Sequence, residues 1–352
     1  MAIYVSIEKE YVSSTWCKAI LQGLAAEAKN KKIDYYIQPE NFTATAEDAI
    51  VLIGDSYKWV DDTVSKMRFL YPARIILISN SRSSNYAINI CTNYSQVMQE
   101  TLLYLRNDCK KNNIALYGIN RASTTDLQKL SGFQQLENVF YNDCDLNRCF
   151  QEFYKKIYLY DAVICANDYN AISLLQHLKK YAPAQFDRLF LIGFSNLHIA
   201  KLYKPSITSV ALDYYGYGKT AVNLYRMLRK NLQISAGTLY TRSKIIPRET
   251  TKFIPCSSST EKGETKTSRS MDFFTDPEVQ DLLALEKLLS RINDVDALII
   301  NRLSSNVAYE QISEEIFMSI NGIKYRLNSL MKACNIKSRD DLIRIYNKYI
   351  GA

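Results

Sequence analysis

Polar side chains recur at helical spacing near the end of the chain, at Asn321, Lys324, Tyr325, Asn328 and Lys332. Residues three or four positions apart lie on the same face of a helix. An Asn side chain can hydrogen-bond the edge of an adenine base, and a Lys side chain can reach a guanine base or a phosphate. The spacing therefore predicts a helix face with the chemistry to contact duplex DNA.

A helix with this face needs a second helix to hold it. Apolar residues recur at helical spacing on both sides of a short break at Met318–Ser319. They are Ile312, Ile316, Ile323, Leu327, Leu330 and Met331. This layout favours two helices joined by a tight turn, with Ile312, Ile316, Ile323 and Leu327 in the core.

The segment 309–342 resembles the DNA-binding domain of LuxR-type response regulators. The resemblance is carried by Glu310-x-Ile312-Ser313, Ser319, Asn321-x-x-Lys324 and Ile336-x-Ser338-Arg339. It implies a helix-turn-helix over 309–333 that binds double-stranded DNA as a dimer on paired half-sites. Lys332 and Arg339 are then expected on phosphates. Gly322 replaces the family's common Thr, which removes one expected phosphate contact.

Basic residues are concentrated in the same region. Seven Lys and Arg side chains stand against two Asp side chains between residues 320 and 352, in a chain of net charge +8. They are Lys324, Arg326, Lys332, Lys337, Arg339, Arg344 and Lys348. A basic cluster favours phosphate contact. On charge alone, a solvated helix face explains it equally well, and Arg326 can instead pair with an acid.

Residues 1–255 alternate apolar, strand-like runs with helix-like stretches. The runs fall at 2–7, 34–38, 49–54, 74–79, 113–118, 161–166, 188–194 and 206–212. Short runs rich in Ile, Leu and Val, separated by helices, predict a parallel sheet covered by helices on both faces. Because these runs exceed one compact sheet, we expect two similar lobes.

The same region resembles the effector-binding core of the lactose/galactose-repressor (LacI/GalR) family, which shares the two-lobed fold of periplasmic sugar-binding proteins. The motifs that carry the resemblance are Thr92-Asn93-Tyr94, Lys129-Leu130-Ser131-Gly132-Phe133, Cys165-Ala166-Asn167-Asp168, Leu191-Ile192-Gly193-Phe194, Pro205-Ser206-Ile207-Thr208-Ser209-Val210 and Pro247-Arg248-Glu249-Thr250. The resemblance implies two doubly wound parallel sheets. Lobe one is expected at about 1–92 and 213–237, and lobe two at about 93–212 and 238–255. The family carries its helix-turn-helix before the core, whereas here the predicted one follows it.

Polar residues just after the predicted strands are the candidate contacts for a small-molecule effector, because ligands bind beyond the carboxyl ends of parallel strands. These candidates are Tyr11, Asp55, Asn80, Asn120, Arg121, Lys129, Asn167, Ser195, Asn196 and Asp213, the last near the hinge. The resemblance and the amides and charges favour a sugar or a related polar metabolite. For each residue the alternative is a turn or a helix cap. We expect capping alone for Asp168, and ligand contact for Asn167 and Lys129.

Three of these positions depart from the family pattern. Ser195 stands where the family has Asp, Ser79–Asn80 where it often has Asp or Arg, and Lys129 where it has Arg. Lys lacks the bidentate fork of a guanidinium. An ordinary hexose held by two carboxylates and an arginine is therefore not expected, and the cleft either takes another ligand or keeps only the scaffold.

A polar segment, 256–274, has the composition of a linker. A helical domain is predicted at 275–352, its first helix beginning near Thr275-Asp276-Pro277-Glu278 and running to about Ile292. The apolar stripe of this helix packs either on the terminal domain or on a second copy of the chain in a homodimer.

Other classes of protein are disfavoured. The chain has no long apolar run and no signal peptide, so a cytoplasmic protein without membrane association is expected. Neither the eight Cys nor the two His make a metal-site pattern, and catalytic and nucleotide-binding motifs are missing, so no cofactor and no enzymatic activity are expected. The leading hypothesis is a ligand-responsive transcriptional regulator. The alternative is a non-enzymatic module whose C-terminal helices contact a protein partner.

Overall fold

The computed structural model describes residues 2–39, 41–81, 83–142, 145–231, 233–252 and 276–351. The chain divides into two compact units. The first comprises Met1–Gln99 and Leu212–Lys244, and the second comprises Glu100–Ala211 and Ile245–Ala352. The predicted linker at 256–274 lies outside the described residues.

Each unit contains one six-stranded sheet among its described residues. The first sheet is formed by β1 (Ala2–Ile7), β2 (Asp34–Ile37), β3 (Ala49–Ile53), β4 (Arg74–Ile78), β5 (Ile88–Cys91) and β11 (Gly237–Tyr240). The second is formed by β6 (Ile114–Ile119), β7 (Val139–Tyr141), β8 (Ala162–Cys165), β9 (Phe190–Phe194), β10 (Thr208–Leu212) and β12 (Ser243–Ile246).

The two sheets share one strand order. The first runs β11-β5-β4-β3-β1-β2 and the second runs β12-β10-β9-β8-β6-β7. All neighbours in the first sheet pair in parallel, as do the neighbours from β7 to β10 in the second. Every residue of β3 is buried because helices cover both faces of the sheet. The predicted two-lobed α/β fold is confirmed.

Helices surround both sheets and continue to the end of the chain. Those that precede residue 253 are α1 (Thr15–Lys31), α2 (Tyr57–Leu70), α3 (Tyr94–Leu103), α4 (Thr124–Phe133), α5 (Leu146–Tyr154), α6 (Asp168–Tyr181), α7 (Pro183–Phe186), α8 (His198–Leu202) and α9 (Tyr214–Lys230). The C-terminal region contains α10 (Pro277–Leu289), α11 (Asp294–Ser304), α12 (Tyr309–Ile316), α13 (Ile320–Cys334) and α14 (Arg339–Tyr349).

In the first unit, α1 and α9 approach closely at two glycines. A Cβ atom added at Gly218 would lie 1.9 Å from the carbonyl oxygen of Ile20, and one added at Gly23 would lie 1.9 Å from the carbonyl oxygen of Tyr215. The two backbones thus occupy the space that larger side chains would fill. This contact brings the chain segment after β10 back onto the first sheet.

Helix α10 is shared by two sets of neighbours in the second unit. It packs on α6 and α8 of the α/β part, and on α13 and α14 of the C-terminal region. Its buried Leu282, Leu285 and Leu288 belong to one continuous hydrophobic core with both. The predicted apolar stripe therefore packs on the terminal helices, and it also packs on the α/β part of the unit, which the sequence did not indicate.

Among the described residues, no helix combines the length and the apolar character that a membrane crossing requires.

Candidate functional site

The turn between α12 and α13 is built as the sequence predicts. Phe317 ends α12 in the left-handed conformation with φ 53°, and Ser319 caps α13 by accepting a hydrogen bond from the Gly322 amide at 3.1 Å. Ile312, Ile323 and Leu327 are buried beneath the turn, while Ile316 is partly buried. Caps and core together hold α13 at a defined angle to α12.

Helix α13 presents its polar face to solvent. Asn321, Lys324, Tyr325, Asn328 and Lys332 are all exposed, and Tyr325 retains 76% of its accessible surface. The opposite face supplies the buried residues of the core. The amphipathic pattern that predicted this face therefore matches the observed burial.

Ion pairs sort the basic residues of the C-terminal region into two groups. Arg326 Nε lies 2.8 Å from Asp296 Oδ1 of α11, and Arg344 makes a two-pronged contact with Asp281 of α10 at 2.8 and 3.0 Å. Lys348 lies 3.8 Å from Asp281. Three of the seven basic side chains thus lie beside carboxylates of the protein, and the other four have no carboxylate partner within the described residues and carry the uncompensated charge.

Two of the uncompensated cations converge on one aromatic ring. Lys324 Nζ lies 5.4 Å and Arg339 Cζ lies 5.1 Å from the centre of the Tyr309 ring. These side chains line a cavity of about 210 Å³ together with Asn328. No carboxylate within the described part of the chain pairs with Lys324 or Arg339. The arrangement concentrates positive charge where an anion such as a phosphate would be stabilised.

In the second unit, the predicted contacts lie at the carboxyl ends of the strands. Asn120 follows β6, and its side chain accepts a hydrogen bond from the Ala122 amide at 2.9 Å. Asn167 follows the adjacent strand β8 and caps α6 by accepting from the Asn170 amide at 2.9 Å. Asn167, rather than Asp168, is the capping residue. Both Asn side chains have a local structural role, and both remain partly exposed at this edge.

Lys129 is held within the protein. It is only 5% exposed, and its Nζ donates to Asp126 Oδ1 at 2.8 Å and to the Ala166 carbonyl at 2.7 Å. Asp126 also accepts from the Asn120 amide at 3.1 Å. The pair therefore ties α4 to the ends of β6 and β8, a structural role that its sequence motif does not reveal.

The loop after β9 is strained and well anchored. Ser195 and Asn196 have φ of 99° and 50°, unusual for residues with a Cβ. Asn196 accepts from the Arg248 guanidinium, and its amide donates to Ser209 Oγ at 2.9 Å. Arg248 is a residue of this edge that was not predicted from the sequence, although its Pro-Arg-Glu-Thr motif was a usable signal. Asn196 and Arg248 meet at one edge.

Asp168 is fully buried beside this loop. Its carboxylate accepts from Ser209 Oγ at 2.6 Å and from the Leu197 amide at 2.8 Å. Burial raises its pKa to about 7, partly offset by these hydrogen bonds and by Arg248. Asp168 therefore joins α6, β10 and the β9–α8 loop. Arg121, on the same edge, stacks over the Tyr141 ring with Cζ 3.6 Å from its centre.

The first unit has a corresponding edge. Asp55 follows β3, and its Oδ1 accepts from Ser79 Oγ at 2.9 Å and from the Asn80 amide at 2.8 Å. Asn80 in turn accepts from the Thr92 amide at 2.9 Å and the Tyr217 hydroxyl at 3.2 Å. The structure thus brings Asp55 and Asn80 together into one network.

Glu8 is a further residue of this edge, and it was not among the contacts predicted from the sequence. It follows β1, which neighbours β3, and it accepts from the amides of Asp55 at 2.8 Å and Ser56 at 3.1 Å. Tyr11 lies in the next turn, where burial raises its pKa to about 12. Asp213 is exposed and caps α9 by accepting from the Gly216 amide at 2.8 Å. Tyr11 and Asp213 are not joined to the Asp55–Asn80 network by any hydrogen bond among the described residues.

A separate cavity of about 640 Å³ opens in the first unit between β1, α2 and the segment after β2. Its walls include the stacked rings of Tyr4, Phe42 and Tyr71, at centroid distances of 4.6 and 4.8 Å. None of the predicted contact residues lines it. Among the described residues, no group of His, Cys, Asp and Glu is arranged to hold a metal ion.

Comparison with known proteins decides the family of the α/β part. The model of the periplasmic binding protein-like domain matches residues 73–251, just over half of the chain. The chain belongs to this family. This periplasmic binding protein-like chain has two parallel sheets with the same strand order, and most of the candidate contact residues lie at the carboxyl ends of their strands. No curated protein matches the chain significantly.

Solved structures agree with this assignment. A transcription regulator from Lactobacillus plantarum is similar with a TM-score of 0.55 and 16% identity, covering 72% of this chain and 100% of that one. The regulator CcpA of Lactococcus lactis is similar with a TM-score of 0.52 and 17% identity, covering 72% of this chain and 100% of that one. The complex of the regulator CelR with cellobiose is similar with a TM-score of 0.53 and 11% identity, covering 71% of this chain and 84% of that one. At these identities the similarity establishes the fold.

Proposed function

We propose that this protein is a DNA-binding transcriptional regulator. Its periplasmic binding protein-like part senses a small polar molecule, a sugar or related metabolite, and controls a C-terminal helix-turn-helix of the LuxR type. It acts without catalysis or cofactor, as a homodimer in the compartment that holds the DNA, the cytoplasm. The proposal rests on the exposed polar face of α13 and its uncompensated cations.

The sorting of charges is the observation that carries DNA binding. If the basic cluster only kept a helix solvated, its unpaired cations would show no preference for the polar face of α13. Instead, Arg326, Arg344 and Lys348 pair with acids of α10 and α11, while Lys324 and Arg339 point at the same Tyr309 ring without a carboxylate partner in the described chain. Lys324 on α13 and Arg339 at the start of α14, which have no carboxylate partner among the described residues, are available for phosphates.

The fold supports the sensing role. Structural neighbours include regulators described with bound cellobiose and with bound ribose, at TM-scores of 0.53 and 0.51. In this chain, amides and charges stand at the carboxyl ends of the strands in each unit, where ligands of open α/β sheets bind. Lys129 and Asp126 satisfy each other, so the effector is expected to depend on Asn167, Arg121, Asn196 and Arg248 more than on Lys129.

Duplex DNA binding is tested by fluorescence anisotropy with a labelled 30-base-pair duplex at several salt concentrations. We expect Lys324→Ala and Arg339→Ala each to weaken binding and to reduce the slope of log K against log salt by about 1, because each removes one phosphate contact. Arg344→Ala is the matched control, since it removes the same charge from a side chain already paired with Asp281. Equal effects of all three substitutions would refute the assigned face.

Effector binding is tested by thermal shift with ribose, cellobiose and related sugars. A ligand that binds only the folded protein raises its melting temperature. We expect the stabilising sugar to lose its effect in Asn196→Ala. Retention of the full shift in that variant would exclude this strand edge as its site.

A second candidate function is protein recognition by the C-terminal helices. It is favoured by Phe317, which is 96% exposed in the turn before α13, and by the exposed ring of Tyr325. Large exposed aromatics of this kind are enriched at protein interfaces. Association that is insensitive to salt and lost in Phe317→Ser would favour this function over DNA binding.

A further inference from the structure

Helix α8 lacks a cap from its own chain segment. Its N-cap residue, Leu197, has no side-chain acceptor. The buried carboxylate of Glu286 on α10 takes that place, accepting from the amides of His198 at 3.1 Å and Ile199 at 2.9 Å. Glu286 Oε1 also lies 2.9 Å from the His198 ring nitrogen Nδ1. Glu286 is 4% exposed, and its three hydrogen bonds among the described residues all go to the first two residues of α8.

The loop between β9 and α8, which leads into the α8 N-terminus, is also held by residues at the carboxyl ends of the strands. Leu197 donates to Asp168, and Asn196 is joined to Arg248 and Ser209. A segment of only four residues, 195–198, therefore runs from the proposed effector-contact positions to the carboxylate of Glu286. Its positive φ values at Ser195 and Asn196 mean that few other conformations satisfy both anchors.

Helix α10 connects this loop with the C-terminal helices. Its Asp281 binds Arg344 of α14 at 2.8 Å, and its Glu278 carbonyl accepts from the Tyr349 hydroxyl at 3.5 Å. Its buried leucines share one core with Ile323 and Leu327 of α13. Packed and hydrogen-bonded contacts therefore form a continuous path from the β9–α8 loop to α13, and a close-packed interior is able to transmit strain along such a path.

We propose that Glu286 is the positioning residue that couples the effector-contact loop of the α/β part to the helix-turn-helix. This inference rests on the proposed function. Occupancy at Ser195 and Asn196 changes the position of the α8 N-terminus, and Glu286 passes the change to α10 and then to α13. By reciprocity, binding of DNA at α13 changes the protection of the β9–α8 loop.

The test is hydrogen–deuterium exchange of the full chain, as wild type and as Glu286→Gln. The amide retains the shape of the carboxylate but loses its charge and one acceptor oxygen. Without DNA, we expect exchange to increase roughly tenfold or more at residues 197–202, because hydrogen bonds to a charged group are lost. We expect it to increase also at residues 320–334. An increase confined to 197–202 would overturn the coupling.

The second arm adds a mixed-sequence 30-base-pair duplex at low salt. In the wild type we expect DNA to alter exchange at 195–202, and in Glu286→Gln we expect this change to disappear while DNA is still bound. DNA binding without any change at 195–202 in the wild type would overturn the coupling and leave the proposed function intact. Absence of DNA binding in the wild type would instead overturn the proposed function, while the first arm still decides the coupling.

Two further variants guard against global effects. Lys287→Ala changes the neighbouring residue of α10 and is expected to leave exchange at 197–202 unchanged. His198→Ala removes one of the three contacts of Glu286 from a side chain that is 51% exposed, so it is expected to remain folded. It should reproduce part of the exchange increase in both segments. If Glu286→Gln does not fold, and if residues 320–334 of His198→Ala exchange at the wild-type rate, the coupling is overturned.

Discussion

The buried pair of Lys129 and Asp126 offers the sharpest test of how this fold is held together. The family resemblance marks Lys129 as a ligand contact, but its Nζ donates to Asp126 Oδ1 at 2.8 Å and to the Ala166 carbonyl at 2.7 Å. Lys129→Ala leaves the Asp126 carboxylate buried without its cation. Removing one partner of a buried ion pair costs about 3–5 kcal/mol of unfolding free energy.

The effect is measurable by calorimetry of the full chain. For folded units of this size, 1 kcal/mol corresponds to roughly 2–4 °C in melting temperature, so a decrease of about 6–20 °C is expected. The double variant Asp126→Asn, Lys129→Met removes both charges and should recover most of the lost stability, because no unpaired charge then remains.

The chain contains its own control for this prediction. Lys155 and Glu152 have the same three-residue spacing and an almost identical distance of 2.7 Å, but their side chains are 66% and 59% exposed. Lys155→Ala should therefore lower the unfolding free energy far less, because water screens an exposed ion pair. If Lys129→Ala and Lys155→Ala lower the unfolding free energy equally, burial does not set the strength of these pairs and the reasoning is refuted.

Three further predictions concern other parts of the molecule. Gly218→Ala should lower the unfolding free energy by about 1–3 kcal/mol in urea denaturation, because the new Cβ would lie 1.9 Å from the Ile20 carbonyl oxygen; an unchanged midpoint would contradict the close approach of α1 and α9. The pKa of Asp168 is raised to about 7, so the folded state binds this proton more tightly than the unfolded state does. This group therefore stabilises the fold fully at low pH. Its contribution is lost as the pH rises from about 4 to about 7. Between pH 5 and 8 the wild type should therefore lose roughly 2–3 kcal/mol of unfolding free energy relative to Asp168→Asn, and parallel pH profiles would show that Asp168 does not titrate in this range. Phe317→Ser should change the thermal midpoint by no more than a degree or two, since the ring is 96% exposed, and a large decrease would place Phe317 in an interface.

The elements of the α/β part were largely predictable, because buried parallel strands are short, continuous apolar runs. The runs at 49–54 and 74–79 became β3 and β4 with at most one residue of difference at each end. Strand β7 was missed because Val139–Tyr141 is too short for a periodic signal. Helix α11 was also missed, although Asn293 and Asp296 form a capping box that marks its start.

The location of the candidate contacts relative to the strands was predictable, but the local hydrogen bonds of these residues were not. Strand ends correctly indicated where Asn120, Asn167 and Asn196 lie along their strands. Only the hydrogen bonds and burial of the folded chain reveal that Asn167 caps α6 while Asp168 is buried, since neighbouring residues with similar propensities compete for the cap. The burial of Lys129 depends on which strands are adjacent, and one sequence does not specify this.

Residue type and spacing alone determined most of the helices and strands and the amphipathic face of α13, because these follow from interactions between residues a few positions apart. The pairing of charges followed from the fold. Arg326 finds Asp296 across 30 positions, and Glu286 reaches His198 across 88. Such contacts form only where packing of the hydrophobic core brings distant segments together and removes water from between them. Tertiary structure therefore decided which cations remain available to a partner and which carboxylate ties the strand edge to the C-terminal helices.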